Sequence, residues 1–438
     1  LMNKSLLINK KIKPFNKKID VDGDKSLSIR FTLLASLAVG KSKAYGLLKS
    51  EDVMSTINCL KKLGVKIKFR QNYCEVIGMG LNGYDYKKNL TLNAGNSGTA
   101  ARLISTTCLN SPNFIRITGD SSLKKRDMKR IIKPLIKFGV QIKKNKGTLP
   151  LSLKGSGNLR PISYNEKLGS AQVKSTILIA SLISSSKTTK LKCKPSRNHT
   201  ELLLRYLKVP IKIKKTKKFD FIEIKGKKGF DGFNYKIPGD ISSASFAIVL
   251  TLLSKNSKLV IKNVNVNPSR TGIISILNMM GGFIKLKNKR IYKGEQKADI
   301  FIKSTNNLRG ISLPKSFNNS SAIDEFNLIF ICAAFAKGVS TFQGLLELQP
   351  KESKRLDWGF KILKMIGIKT KKIGNHGIKI WGNPKLKLDK EYVIKNYLKD
   401  HRIAMSNIIL GLARGGRWKI YNPESINTSF PSFKKMIK

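Results

Sequence analysis

A short helix-opening element recurs six times in this 438-residue chain and constrains the fold more than any other feature. In order, the copies are Gly23-Asp24-Lys25-Ser26-Leu27-Ser28-Ile29-Arg30, then Asn93-Ala94-Gly95-Asn96-Ser97-Gly98-Thr99-Ala100-Ala101-Arg102, then Gly169-Ser170-Ala171-Gln172-Val173-Lys174-Ser175. Gly239-Asp240-Ile241-Ser242-Ser243-Ala244, Ile323-Asp324-Glu325 and Lys399-Asp400-His401-Arg402 complete the set. Asp, Asn and Ser accept hydrogen bonds from the first free N–H groups of a helix, so each copy reads as an N-cap. An apolar, Ala/Ser/Leu-rich run follows every copy: 31–38, 103–109, 177–183, 246–253, 328–336 and 404–412. These runs carry few charges on any face and are expected to be buried all round. The spacing of roughly 70–80 residues exceeds that of solenoid repeats but still marks internal repetition.

Between these runs lie amphipathic stretches, most of them closed by glycine and followed by alternating residues. Segments 50–63, 124–138, 271–280 and 357–366 end at Gly64, Gly139, Gly281 and Gly367, and 199–207 runs into Val209-Pro210. Gly just past a helix is the C-cap signal, and alternation after it is a strand. Each unit is therefore expected to be βαβαββ-type. The fold class is α/β (α+β): two similar domains of three units, with buried helices and outer sheets. The break is placed near Lys236-Ile237-Pro238, and the first twenty residues read as a strand that either half could claim. If all six helix N-termini face one interdomain cleft, their dipoles make a site for polyanionic small molecules.

Composition matters here for what it excludes. With 41% hydrophobic residues the chain can build two cores, and no run of 18 apolar residues suggests a membrane span. The first residues, Leu1-Met2-Asn3-Lys4-Ser5-Leu6-Leu7, are too short an apolar stretch for a signal sequence. Five cysteines without a CxxC pair point to a reduced, cytoplasmic protein, and three scattered histidines argue against a metal site. The net charge of +59 invites a nucleic-acid reading. Lysine, however, is spread through strands such as Val65-Lys66-Ile67-Lys68, no RNA-binding signature appears, and a general Lys/Asn/Ile bias accounts for the charge.

Taken together, eight motifs in this order resemble the 3-phosphoshikimate 1-carboxyvinyltransferase (5-enolpyruvylshikimate-3-phosphate synthase) family over essentially the whole chain. They are Gly23–Ser26, Gly95–Thr99, Ser170–Ser175, Pro238–Ser243, Asn267-Pro268-Ser269-Arg270-Thr271-Gly272, Lys351-Glu352-Ser353, Asp400-His401-Arg402 and Ser429-Phe430-Pro431. The resemblance implies two three-unit domains with the active site in the cleft between them: 21–237 as the N-terminal domain, and 1–20 with 238–438 as the C-terminal domain. It implies transfer of the enolpyruvyl group of phosphoenolpyruvate to the 5-hydroxyl of shikimate 3-phosphate, releasing phosphate, on the route to chorismate and aromatic amino acids.

The resemblance also assigns residues. Asp324 is implied as the base on the 5-hydroxyl, although Asp324 would also serve as an N-cap of the fifth helix. Glu352, with Lys351 beside it, handles the proton, and Lys25 touches both substrates. Shikimate 3-phosphate is implied to meet Lys25, Ser26, Arg30, Ser170, Ala171, Gln172, Ser196, Arg197, Asp324 and Lys351. Phosphoenolpyruvate is implied to meet Lys25, Asn96, Gly98, Arg126, Gln172, Arg355 and Arg402. His401 is expected to be structural. No metal or cofactor, no nucleic acid and no membrane is implied, and a monomer is expected. Glyphosate competes with phosphoenolpyruvate in this family, and the bare Cα of Gly98 implies a sensitive pocket.

The chain departs from the family pattern at Thr428, where some members carry lysine, at Ala171 in place of serine, and at Lys354 and Asn198 in place of acidic residues. Two alternatives are a UDP-N-acetylglucosamine enolpyruvyl transferase and a basic RNA-binding protein. The first uses a cysteine in the loop matching 121–130, where this chain has none.

Overall fold

The computed structural model describes residues 4–226 and 228–437; residues 1–3, 227 and 438, which fall within the expected domains, lie outside the described set. The chain divides into two compact units. The first comprises Gly23–Ile237 with Tyr292–Glu295, and the second the described residues up to Asp22 together with Pro238–Ile291 and Gln296 onward.

Each unit contains three sheets and three inner helices. In the first unit the inner helices are Lys25–Leu37, Gly98–Ile104 (extended by a 3-10 turn, Ser105–Cys108) and Ala171–Ser184. In the second they are Ile241–Leu253, Phe326–Ala334 and His401–Arg414. Every residue of Ile241–Leu253 and of Phe326–Ala334 is buried, as the lack of charge on any face requires. The outer helices bury one face only: in Glu51–Lys62 the apolar face holds Val53, Ile57 and Leu60, while Lys61 and Lys62 complement the C-terminal dipole. Gly139, at φ 106°, closes the outer helix Lys129–Phe138 in the left-handed conformation that a side chain would resist. That helix is shorter than its expected span, because Leu123–Lys125 forms a separate 3-10 turn.

Five of the six sheets mix parallel and antiparallel pairs, and the sheet of Gly338–Phe342, Gly377–Gly382 and Thr370–Ile373 is antiparallel. Strand Thr91–Asn93, the inner helix Gly98–Ile104 and strand Ile115–Thr118 form a parallel crossover, and the hairpin Gln141–Ile142/Leu151–Lys154 adds antiparallel strands. Solvent-facing positions alternate with buried ones, as in Asp220–Lys225, so much of the lysine lies on solvated outer faces.

The described residues up to Asp22, ahead of the first inner helix, lie with the second unit, as the family resemblance implied for 1–20. The strand before the first inner helix, Asn16–Ile19, pairs in parallel with Lys258–Asn265 in the second unit. The strand before the fourth, Asn234–Lys236, pairs in parallel with Val39–Tyr45 in the first unit. Each thus fills the leading position in the other repeat's sheet. The N-terminal segment is two strands rather than one, since Ser5–Ile8 pairs antiparallel with Gly415–Tyr421. Among the described residues no helix is long and apolar enough to cross a membrane.

Candidate active site

In the first unit, hydrogen bonds tie the N-terminal turns of the three inner helices together, with Ala171–Ser184 as the hub. Its Gln172 donates to Thr99 Oγ1 (2.8 Å) and accepts from Arg102 Nη1 (2.6 Å), which links it to the second inner helix. Its Ser175 Oγ accepts from Arg30 Nη2 (2.9 Å), linking it to the first. Arg30 is buried and also donates from Nε to Thr200 Oγ1 (2.8 Å) and from Nη1 to the carbonyl of Ser26 (3.1 Å). A guanidinium held at three points is a preorganised anion receptor. Lys25, in the same first turn, pairs with Asp52 at 2.9 Å.

The loop 93–98 is built as its sequence indicates. Ser97 caps the helix by accepting from Ala100 N (3.1 Å). Asn96 accepts from Arg126 Nη2 (3.1 Å) and donates to Asp120 (2.6 Å), which places the Arg126 guanidinium against the loop. A methyl built on Gly98 would lie 2.7 Å from Arg102 Nη1 and 3.0 Å from Arg126 Nη1. Gly98, Asn96, Arg126 and Gln172 therefore share one cluster, and Arg102 Nη1 sits within it, on the Gly98 carbonyl and Gln172.

Ser170 caps Ala171–Ser184, and the Glu166 carboxylate accepts from the N–H groups of Leu168, Gly169 and Ser170 just before it. Ala171 is the first helical residue and contributes no side-chain donor. Lys174 is fully buried, pairs with Glu201 at 2.7 Å and donates to the Ser196 carbonyl. Ser196 and Arg197 lie in the turn before helix His199–Tyr206, and the Ser196 hydroxyl is buried with no hydrogen-bond partner.

The second unit collects Asp324, Lys351, Glu352, Arg355 and Arg402. Arg355 is buried and its guanidinium touches three carboxylates: Asp400 Oδ2 from Nε (2.9 Å), Asp324 Oδ1 from Nη1 (3.1 Å) and Glu352 Oε2 from Nη2 (2.5 Å). Lys351 Nζ reaches Asp324 Oδ1 at 3.2 Å. Burial alone would lower the Arg355 pKa, but Asp400, Glu352 and Asp324 together raise it, so it is permanently charged. Burial likewise works to raise the Asp400 carboxyl, and Arg355 more than reverses this, holding it below the usual carboxylate range.

Asp400, which the sequence marks only as a helix cap, has a second task. It caps the sixth inner helix through Arg402 N (3.0 Å), accepts from Ser353 Oγ (2.8 Å) and anchors the Arg355 guanidinium, so one carboxylate ties that guanidinium to the start of the helix carrying Arg402. Its position ahead of His401-Arg402 was the available signal. Asp324 corrects an expectation. The cap position of the fifth inner helix belongs to Glu325, whose side chain makes no cap bond, which leaves the Asp324 carboxylate to Lys351 and Arg355. His401 Nδ1 lies 3.0 Å from the Thr428 hydroxyl. Among the described residues no group of three His, Cys, Asp or Glu side chains could hold a metal ion.

Repeated units gathering helix N-termini around arginines define an enolpyruvyl transferase fold. The chain superposes on the enolpyruvyl transferase NikO from Streptomyces tendae with a TM-score of 0.74 over 99% of this chain and 97% of that one, at 13% identity, a likeness of fold alone. The EPSP synthase from Acinetobacter baumannii superposes more closely, with a TM-score of 0.84 at 36% identity over 99% and 97% of the two chains. The 3-phosphoshikimate 1-carboxyvinyltransferase of Petrotoga mobilis is 39% identical over 97% of this chain and 96% of its own length. That of Thermoanaerobacter sp. (strain X514) is 40% identical over 95% and 96%. The family model for EPSP synthase (3-phosphoshikimate 1-carboxyvinyltransferase) matches residues 9–437, and the chain belongs to that family.

Proposed function

We propose that this enzyme transfers the enolpyruvyl group of phosphoenolpyruvate to the 5-hydroxyl of shikimate 3-phosphate, with the residues above in the following roles. Protonation of the methylene carbon makes the adjacent carbon electrophilic. The 5-hydroxyl oxygen adds to it while Asp324 takes the hydroxyl proton, giving a tetrahedral ketal. Loss of phosphate and removal of one methyl proton then regenerate the vinyl ether. Glu352 carries the proton to and from carbon, and Lys25 bridges the substrates. Arg126, Arg355 and Arg402 neutralise the phosphoenolpyruvate charges, and Asn96, Gly98 and Gln172 shape its pocket. Ser26 and Arg30 take the shikimate carboxylate. Ser170, Ala171, Gln172, Ser196 and Arg197 take its phosphate, with Lys351 on the same substrate.

The observation that carries this reading is the Arg355 cluster, in which the expected base, proton carrier and phosphoenolpyruvate cation meet at one guanidinium. The unpartnered Ser196 hydroxyl supports the phosphate assignment, because a buried donor is stabilised by an acceptor that arrives with the ligand. Cysteine chemistry of the UDP-N-acetylglucosamine type finds no support: all five cysteines are buried, and burial pushes the Cys59 thiol up to about 12. Five unpaired thiols also favour a cytoplasmic, reducing setting, and a monomer remains part of the proposal.

Phosphate release from shikimate 3-phosphate plus phosphoenolpyruvate tests the assignment. Turnover with UDP-N-acetylglucosamine instead, or none with either acceptor, would refute it.

The Gly98 geometry adds a prediction. Gly98→Ala suits the helix start, so the fold should persist, but the new methyl presses on the tips of Arg102 and Arg126. KM for phosphoenolpyruvate should rise by about tenfold, an overpacking cost near 1.4 kcal/mol, and glyphosate, the longer molecule, should lose more. Equal weakening of both in paired saturation and inhibition curves would mean that the loop does not shape this pocket.

A further inference from the structure

Two motifs, Gly239–Ala244 and Asn267–Gly272, have no part in the reaction as described, yet they supply the second unit's other buried ionic chain. We infer that Arg270, Ser242 and Glu325 form a positioning relay that orients Arg402 for phosphoenolpyruvate, an inference that rests on the reaction proposed above.

The relay is continuous. Arg270 Nη2 donates to Ser242 Oγ (2.9 Å) and lies 3.3 Å from Asp240 Oδ1. The Ser242 hydroxyl donates to Glu325 Oε1 (2.5 Å), and Asp240, capping the fourth inner helix, fixes Ser242 by accepting from its N–H (2.7 Å). Glu325 Oε1 lies 3.6 Å from Arg402 Nη1, and that same nitrogen donates to the main-chain carbonyl of Asp324 (3.2 Å). The order of charges is Asp240, Arg270, Glu325, Arg402, alternating in sign, and all four residues are buried. Such a chain polarises along its length and stiffens its last member.

Packing alone does not account for Glu325. Its Oε2 is buried without a hydrogen-bond partner, and a half-satisfied buried carboxylate costs stability that a neutral side chain would avoid. What the carboxylate does is hold Arg402 beside Asp324, so that cation and base keep a fixed spacing.

Charge and position make opposite predictions. A carboxylate beside Arg402 weakens the local positive potential, so if charge alone mattered its removal would tighten anion binding. If it positions Arg402, its removal weakens binding of phosphoenolpyruvate and leaves shikimate 3-phosphate alone. Glu325→Gln should raise KM for phosphoenolpyruvate by about tenfold with KM for shikimate 3-phosphate within about twofold. Ser242→Ala cuts the relay without altering any charge and replaces serine by a better helix former, so it carries the test even if Glu325→Gln folds poorly. It should give about a fivefold rise in the same KM. An unchanged or lower KM for phosphoenolpyruvate in Ser242→Ala, or an equal shift for both substrates, overturns the relay. Absence of phosphate release by the unaltered enzyme in the same assay would instead overturn the reaction assignment beneath it.

Discussion

Glu352→Gln should lower turnover by about 100-fold or more while shikimate 3-phosphate still saturates the enzyme normally. The substitution keeps the volume and an acceptor for Arg355 Nη2, so the cluster around that guanidinium need not rearrange. In the proposed mechanism, what it removes is the exchangeable proton that must reach the methylene carbon and later leave the methyl group. Because this loss falls on the transition state rather than on ground-state binding, kcat and kcat/KM should fall together. Single-turnover phosphate release, with Tm recorded in parallel, separates this from unfolding. Undiminished turnover in a folded variant would move the carbon-directed proton to another group, with Asp324 and Lys25 the nearest candidates in role.

The repeated helix starts were legible in the sequence because capping is local chemistry: Asp24, Ser97, Ser170, Asp240 and Asp400 each accept from an N–H within three residues. The uniformly apolar runs after them declared the inner helices for the same reason. Partnerships across long separations were not legible. Nothing near Arg30 in sequence specifies Thr200 or Ser175, and nothing near Lys25 specifies Asp52. The residues alone did not show the exchange of leading strands between repeats, because Asn16–Ile19 and Asn234–Lys236 look like any short strand and their choice of sheet is decided by tertiary pairing; only the family resemblance placed 1–20 with the second domain. Asp324 was misread as a possible cap because the true cap position is one residue on. Asp400 passed as a cap alone because a single carboxylate performing two tasks leaves one mark in the sequence.

Arg355→Met should abolish measurable turnover and destabilise the second unit by about 3–5 kcal/mol at neutral pH, the cost of leaving buried carboxylates without their cation. Methionine matches the stem of arginine, so the loss reports charge and hydrogen bonding more than cavity formation. The dependence on pH identifies the carboxylate concerned. In the unaltered protein the folded-state pKa of Asp400 is depressed, so its contribution is fully present above the unfolded value of about 3.9 and is lost only as pH falls through the lower folded value. Without Arg355 the largest remaining influence on Asp400 is burial, which raises the folded pKa above the unfolded one; Ser353 and the Arg402 N–H offset this in part. The sign then reverses, and the variant gains relative stability as pH falls through that raised value, because protonation removes an unpaired buried charge. The gap in unfolding free energy between the two proteins should therefore be widest near neutral pH and narrow steadily toward pH ~4. Denaturant unfolding of both proteins across that range measures it. A gap that stays constant with pH would show that Asp400 is not held ionised by Arg355, and that the guanidinium stabilises the fold by packing instead.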